Sequence, residues 1–165
     1  MQNNLKSISL RYFNPVAAHS DFLVYEDYAK SNNLISSIIK TALNNDKSLE
    51  IYGNDYSTKD GTAERDFIHI SDLINGHFFA LDKIDDIKNT EEINLGTGIS
   101  VSVLELISTF KRVNNLEFDV NFAGRRKGDI AINFADVSKA KEVLGWQSRY
   151  NLEDMCKDAW KVIRK

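Results

Sequence analysis

The stretch RDFIHISDLINGHFFAL, residues 65–81, carries a strand straight into a helix. Arg65 to Ile70 reads as the strand, Ser71-Asp72 offers side-chain oxygens for an N-cap, and the helix runs from Leu73 to about Leu81. Upstream, Leu49 to Tyr52 is a short strand closed by Gly53. Before it, Leu34, Ile35, Ile38, Ile39, Ala42 and Leu43 recur at helical spacing, and the helix ends near Asn44-Asn45. Residues 17–33 are polar and irregular, a long loop. The first strand is Ile8 to Phe13, stopped at Pro15, which has no N–H for a ladder. Downstream, Glu92 to Leu95 is a strand ending at Gly96-Thr97-Gly98. Ser102 and Glu105 are spaced as a capping box for a helix that turns Val103, Leu106, Ile107 and Phe110 inward. Phe118 to Phe122 alternates as a strand. Asp136 opens a helix with Ala140, Val143 and Leu144 inward and a stop at Gly145. Leu152, Met155, Cys156, Ala159, Trp160 and Ile163 form a last helical stripe. Strands alternating with helices predict an α/β fold.

Composition narrows the function classes. The 165 residues are 42% hydrophobic and 27% charged, enough chain to bury on the order of 70% of its unfolded surface in one domain. With 21 Lys and Arg against 24 Asp and Glu, the net charge of −3 argues against a dedicated nucleic-acid binder. No apolar run approaches the roughly 20 residues of a membrane span, and Met1 to Ser9 has no signal-peptide core, so a cytoplasmic location is expected. Cys156 is the sole cysteine and reads as a packed small hydrophobe. Neither it nor His19, His69 and His77 completes a metal signature, so no metal site is expected.

Several chemistries are missing from the pattern. After Gly96 and Gly98 the third fingerprint position is Val101, so the dinucleotide motif fails, and no Gly-Lys-Ser/Thr forms a phosphate loop. Asp60-Gly61 imitates a calcium loop, but the first ligand position would be Tyr56. Two positive features remain. Arg11-Tyr12-Phe13-Asn14-Pro15 lies at the C-terminal end of a strand, where open α/β sheets bind ligands, although Asn-Pro is equally a plain turn. Arg65 and Arg126 each stand beside acidic and glycine residues in separate segments. Two guanidinium forks meeting from separate loops suit a diphosphate. Solvated arginines paired with Asp66 and Asp129 are the alternative, and spacing alone leaves both open.

A resemblance favours the first. The run from Arg11 to His19 resembles the segment following the catalytic tyrosine region in UDP-glucose 4-epimerases, members of the extended short-chain dehydrogenase/reductase superfamily. So do Asn32-Asn33-Leu34, Gly53 to Tyr56 with Asp60-Gly61-Thr62, Arg65 to His69, Asn94 to Gly98, Arg125 to Asp129, and Asp136 through Leu144-Gly145-Trp146. The match keeps its order over nearly the whole chain, and the insert from Gly53 to Thr62 is particular to the galactose-type epimerases.

The resemblance implies the following. Residues 1–165 correspond to the UDP-sugar-binding C-terminal half with the last strands of the Rossmann sheet, and the N-terminal half that binds NAD is absent. No Tyr-x-x-x-Lys pair occurs, so the sequence holds no catalytic residue, and the isolated chain is expected to lack activity. In the family, hydride leaves sugar C4 for NAD and returns to the opposite face, interconverting UDP-glucose and UDP-galactose. By position, Tyr12 and Pro15 would line the nicotinamide and Asn14 would meet the sugar–diphosphate. Asn33 and Leu34 would lie along diphosphate and uracil, and Leu49, Ile51 and Tyr52 belong to a strand whose backbone would read uracil. Arg65 and Arg126 would clamp the diphosphate, and Asp129 would bind ribose. Asn133 would sit at the hexose C2 group, and its intermediate size implies tolerance of N-acetylated sugars. Ala17 stands where the family has glycine, and residues 20–31 lack the family's usual glycine and proline. The opening strand and the one ending at Leu95 should be exposed unless a homodimer or the missing half covers them. Two other readings are a nucleotide-sugar dehydratase or decarboxylase of the same superfamily, and a non-catalytic sugar-nucleotide binding module.

Overall fold

In the computed structural model the strand-to-helix joint at residues 65–81 is the centre of the fold. The structure describes residues 6–19, 21, 26–44 and 48–164. Part of the loop expected over residues 17–33, and Asn45 of the expected helix end, lie outside them. Along the chain come β1 (Ser7–Tyr12), β2 (Asn14–Val16), α1 (Leu34–Leu43), β3 (Leu49–Tyr52), β4 (Glu64–Arg65), β5 (Phe67–His69), α2 (Ile70–Lys83) and β6 (Thr90–Leu95). These are followed by β7 (Val101–Ser102), α3 (Val103–Asn114), β8 (Val120–Ala123), β9 (Ile132–Asn133), a π-helical turn (Ala140–Leu144), α4 (Leu152–Lys161) and a closing 3-10 turn (Val162–Arg164).

The pairings are mostly parallel: β1 with β6, β2 with β5, and β3 with β8. A small mixed sheet puts β4 between antiparallel β7 and parallel β9. The first strand ends at Tyr12, short of Pro15, and Pro15 does not end the pairing. After Phe13 the chain changes partner, from the carbonyl of Leu95 to that of Asp66, and Pro15 sits inside β2 opposite Ile68. Asn14 makes the ladder bond there, so the missing proline N–H costs nothing. The strand expected over residues 65–70 is likewise two short ones broken at Asp66, and Ile70 is already helical. Its helix starts earlier than Ser71-Asp72, because the His69 imidazole Nδ1 accepts the Ser71 N–H at 3.0 Å and acts as the cap. Asp72 is instead buried and accepts the N–H groups of Arg149 (2.9 Å) and Tyr150 (3.0 Å).

The capping box at Ser102 and Glu105 is formed as the spacing predicts. A second one, Asn151 with Asp154, starts α4. Gly145 closes the expected 136–144 helix at φ +69°, but that helix is a π-helical turn over Ala140–Leu144. Asp136 accepts the Ser138 N–H at 3.0 Å ahead of it. Ala17, at φ +74°, carries a left-handed backbone, a conformation strained for alanine.

Two apolar clusters hold the molecule. The larger joins α1, β3, α3 and α4 through Ile35, Ile38, Ile39, Leu49, Ile51, Leu106, Phe110, Cys156 and Trp160. The other packs α2 and the π-helical turn on β6 through Leu73, Ala80, Ile93, Leu95, Leu144 and Trp146, with Ile8 and Leu10 of β1 half-buried against it. Among the described residues, β1 has no strand on its second edge. Tyr12, Phe78 and Leu81 on that side of the fold and on the outer face of α2 are 52%, 60% and 66% exposed. No helix of the described residues is long and apolar enough to cross a membrane.

Candidate functional site

The buried carboxylate of Asp66 organises the ground under the site. It accepts the N–H and hydroxyl of Thr97 at 2.8 and 2.6 Å, the Gly98 N–H at 2.9 Å and the Ala135 N–H at 3.2 Å. Four donors from two segments thus converge on a fully buried anion, which satisfies a charge that otherwise could not be buried. Asp66 therefore does not pair with Arg65, its neighbour in sequence. This lock fixes the segments on either side, which hold the next residues in place.

Arg65 stands in β4 rather than in a loop. Its guanidinium donates to the carbonyls of Glu64 (2.8 Å) and Ile130 (2.9 Å), and its far nitrogen lies 3.8 Å from Asp129. Arg126 approaches from the loop after β8, with its guanidinium carbon 3.9 Å from the centroid of the Tyr52 ring. Between them lies one cavity of about 240 Å³. It is lined by Asn14, Asn32, Asn33, Leu34, Ser37, Glu50, Ile51, Tyr52, Ala63, Arg65, Phe67, Val103, Arg126 and Asp129.

Eight of the residues singled out from the sequence therefore share one cavity: Asn14, Asn33, Leu34, Ile51, Tyr52, Arg65, Arg126 and Asp129. Leu49 is 2% exposed and points into the core, as strand parity requires of a residue two before Ile51. Asn133 is an exposed rung of β9 opposite Arg65 and does not line the cavity. Tyr12 and Pro15 also lie outside it, and the Tyr12 hydroxyl bonds to His77 Nε2 at 2.7 Å. Asn33 is already engaged: Oδ1 caps the Ser36 N–H at 2.8 Å, and Nδ2 reaches the Glu26 carboxylate at 2.8–2.9 Å. What α1 presents to the cavity is accordingly its N-terminus, where the Leu34 and Ile35 N–H groups have no partner among the described residues and the helix dipole has its positive end.

Sequence reasoning passed over Asn32, Ser37, Glu50, Ala63, Phe67 and Val103. Strand parity with Tyr52 could have found Glu50, and one helical turn beyond Asn33 could have found Ser37. Arg125 was also unforeseen. On the surface, its Nε donates to Asp55 at 2.6 Å, another nitrogen bonds the Asp55 carbonyl, and the guanidinium covers the Tyr56 ring at 4.2 Å. It ties the 53–62 loop to the loop carrying Arg126.

A larger cavity of about 530 Å³ lies between residues 26–29, α1 and the closing 3-10 turn. Glu26 and Asp27 stand on its wall, and Lys40 there donates to the Ser31 carbonyl at 2.6 Å, so among the described residues this cavity offers no free cation cluster for phosphate. Nor does the chain fit a nicotinamide dinucleotide by itself. Tyr12 and Pro15 offer one wall. The Gly96-Thr97-Gly98 turn follows Leu95, the ladder partner of Tyr12, but it is closed: a Cβ on Gly96 would lie 2.6 Å from an Asp66 carboxylate oxygen and 2.7 Å from the Ala135 Cβ. Side-chain or backbone atoms fill the space above Gly53 and Gly61, where an added Cβ would meet Tyr56 and Asn54 at 2.4 and 2.3 Å.

Comparison with known proteins fits this geometry. Residues 1–96 match the model of the NAD dependent epimerase/dehydratase family. The chain belongs to this family. Among curated members, the UDP-glucose 4-epimerase of Dictyostelium discoideum is 47% identical over 156 residues, covering 93% of this chain and 45% of that protein. That of Bacillus subtilis is 46% identical, covering 92% and 45%. The chain thus spans a little under half the length of these relatives. Two solved epimerases superpose on almost all of it. The Stenotrophomonas maltophila UDP-glucose 4-epimerase, with bound NAD and formylated UDP-arabinopyranose, gives a TM-score of 0.92 at 40% identity, covering 98% of this chain and 48% of that one. The Bifidobacterium longum enzyme, in complex with NAD+ and UDP, gives 0.90 at 38%, covering 99% and 49%. The fold is accordingly the Rossmann-like α/β fold of extended short-chain dehydrogenase/reductase epimerases.

Proposed function

We propose that this chain is the C-terminal, nucleotide-gripping part of a UDP-glucose 4-epimerase, and that polypeptide outside residues 1–165 supplies the NAD-binding part. The observation that carries the reading is the convergence of Arg65 and Arg126, from elements far apart in sequence, on one cavity. In this reading the two guanidinium groups and the N-terminus of α1, at Asn33 and Leu34, hold the diphosphate. Asp129 takes the ribose hydroxyls, and the β3 backbone from Leu49 to Tyr52 reads uracil. Asn14 meets the sugar end, and Asn133 stands towards the hexose beyond the cavity. Tyr12 and Pro15 face the side where the nicotinamide arrives with the missing part. A grip confined to the nucleotide leaves the hexose free to turn, which an enzyme inverting one sugar carbon needs; binding spent on the nucleotide is common to both epimers.

The unpartnered edge of β1 supports the division of labour. Parallel sheets are ordinarily multi-stranded and covered on both faces. A two-stranded parallel pair beside exposed Phe78 and Leu81 is the margin of a larger sheet.

A chimera tests the function. The N-terminal part of the Bacillus subtilis relative is joined ahead of this chain and assayed with NAD for interconversion of UDP-glucose and UDP-galactose. The chimera is expected to be active, the chain alone inactive, and the Arg126→Ala chimera strongly impaired. A folded chimera without epimerase activity, or activity in the chain alone, contradicts the proposal. Turnover of UDP-N-acetylglucosamine by the same chimera tests Asn133: complete rejection removes the expected tolerance.

A further inference from the structure

Two consecutive arginines after β8 lie on two tyrosines, yet their donors are used differently. Arg125 covers Tyr56 and is bonded to the carboxylate and carbonyl of Asp55. Arg126 covers Tyr52 at 3.9 Å, and among the described residues its side chain forms no ion pair and no hydrogen bond. A cation–π contact uses no N–H donor, so a guanidinium held over a ring is restrained without consuming the donors a phosphate needs. The platform is itself fixed. Tyr52 pairs with Ala123 in the β3–β8 ladder, and the next N–H, that of Gly53, bonds the Ala123 carbonyl at 2.9 Å. Strand parity turns the Tyr52 side chain away from the core and onto the cavity that Arg126 lines.

We propose that Tyr52 is a positioning residue: its ring holds the Arg126 guanidinium at the cavity, ready for the diphosphate of a nucleotide. The proposal rests on the reading of the cavity as a nucleoside-diphosphate site. It assigns the Tyr52 side chain a role separate from the backbone contacts of β3. Because the ring face does the work, phenylalanine replaces tyrosine and an aliphatic residue does not.

A double-mutant cycle on this chain, titrated with UDP at low ionic strength, decides it. Arg126→Ala is expected to weaken UDP binding about tenfold or more, as loss of a charged hydrogen-bond donor does. Tyr52→Ala is expected to weaken it about fivefold, the scale of one cation–π contact, and Tyr52→Phe to stay within about twofold of wild type. In the Arg126→Ala background, Tyr52→Ala is expected to cost nothing further. Without ligand, the Arg126 side-chain protons should show an upfield ring-current shift in wild type and Tyr52→Phe that disappears in Tyr52→Ala. Additive losses, a phenylalanine variant as weak as the alanine one, or unshifted Arg126 protons in wild type each overturn the proposal. If UDP binds but the losses add, only the positioning role falls. If wild type binds no UDP, the reading of the cavity falls and takes the role with it.

Discussion

Gly96 follows β6 at the point where backbone, carboxylate and methyl group crowd together. A Cβ there would lie 2.6 Å from an Asp66 carboxylate oxygen and 2.7 Å from the Ala135 Cβ, neither of which has room to yield. Gly96→Ala is expected to lower the unfolding free energy by about 1–3 kcal/mol, measured by urea titration, although alanine is otherwise the more ordered residue. An unchanged midpoint would show that the Asp66 lock is looser than its four donors imply. His69 gives a second test. Burial drives its pKa below the ordinary value, and the nearby carboxylates of Asp158, Asp72 and Asp154 oppose that only in part. The ring stacks on Tyr150 with centroids 4.0 Å apart, and its Nε2 faces the Asp158 carboxylate at 3.4 Å. The folded state therefore keeps the ring neutral where the unfolded chain, titrating near pH 6.5, takes a proton. Stability is full above that pH and falls as the pH drops below it. Urea titrations at pH 7, 6 and 5 should show a steeper loss in wild type than in His69→Gln; equal slopes contradict the assignment.

At the scale of elements, the βα joint, the Ser102–Glu105 box and the stop at Gly145 were legible because each is a local device: the residues that make it are neighbours in sequence. Cys156 was legible for the same reason, from its place on the α4 stripe. It is fully buried, and desolvation pushes its thiol up to about 12. It should resist thiol reagents in the native chain and react once denatured; rapid native labelling would contradict the packing of α4. Other elements could not be read. β4, β7 and β9 have two residues each, too few to show a period, and exist only because distant segments meet. The partner of Arg65 is a carbonyl 65 residues away. A histidine acting as an N-cap has no compositional signal. Arg125, on Asp55 and Tyr56, ties the 53–62 loop to the segment that carries Arg126, beside the loop's other ties through Lys59, Asp60 and Thr62. Asp55→Ala should therefore weaken UDP binding modestly, about twofold to fivefold, by loosening the segment that carries Arg126. An unchanged affinity would make that tie irrelevant to the site.

On the scale of the whole molecule, one polypeptide holds a cavity of about 240 Å³ lined by Arg65 and Arg126, and among the described residues β1 has no strand on its second edge. The α/β class was legible from the alternation of strands and helices, and Arg65 with Arg126 from their paired settings, whereas Asn33, Leu34, Tyr52 and Asp129 came only from the family resemblance, because no local pattern brings them to one cavity. The depth to which Leu49 is buried and the distance of Asn133, Tyr12 and Pro15 from the cavity depended on tertiary packing. The free edge of β1 makes the isolated chain prone to self-association. Sedimentation should reveal concentration-dependent species that the N-terminal part of the chimera suppresses; a strictly monomeric chain at all concentrations would mean that the edge is already blocked. The central claim is that Arg65 and Arg126 serve one ligand together. Calorimetric titration of the chain with UDP tests it most directly. Saturable binding of one nucleotide per chain, weakened about tenfold or more by Arg65→Ala and by Arg126→Ala and by added salt, is the expected result. No binding by the folded chain, or binding indifferent to both substitutions, would contradict it.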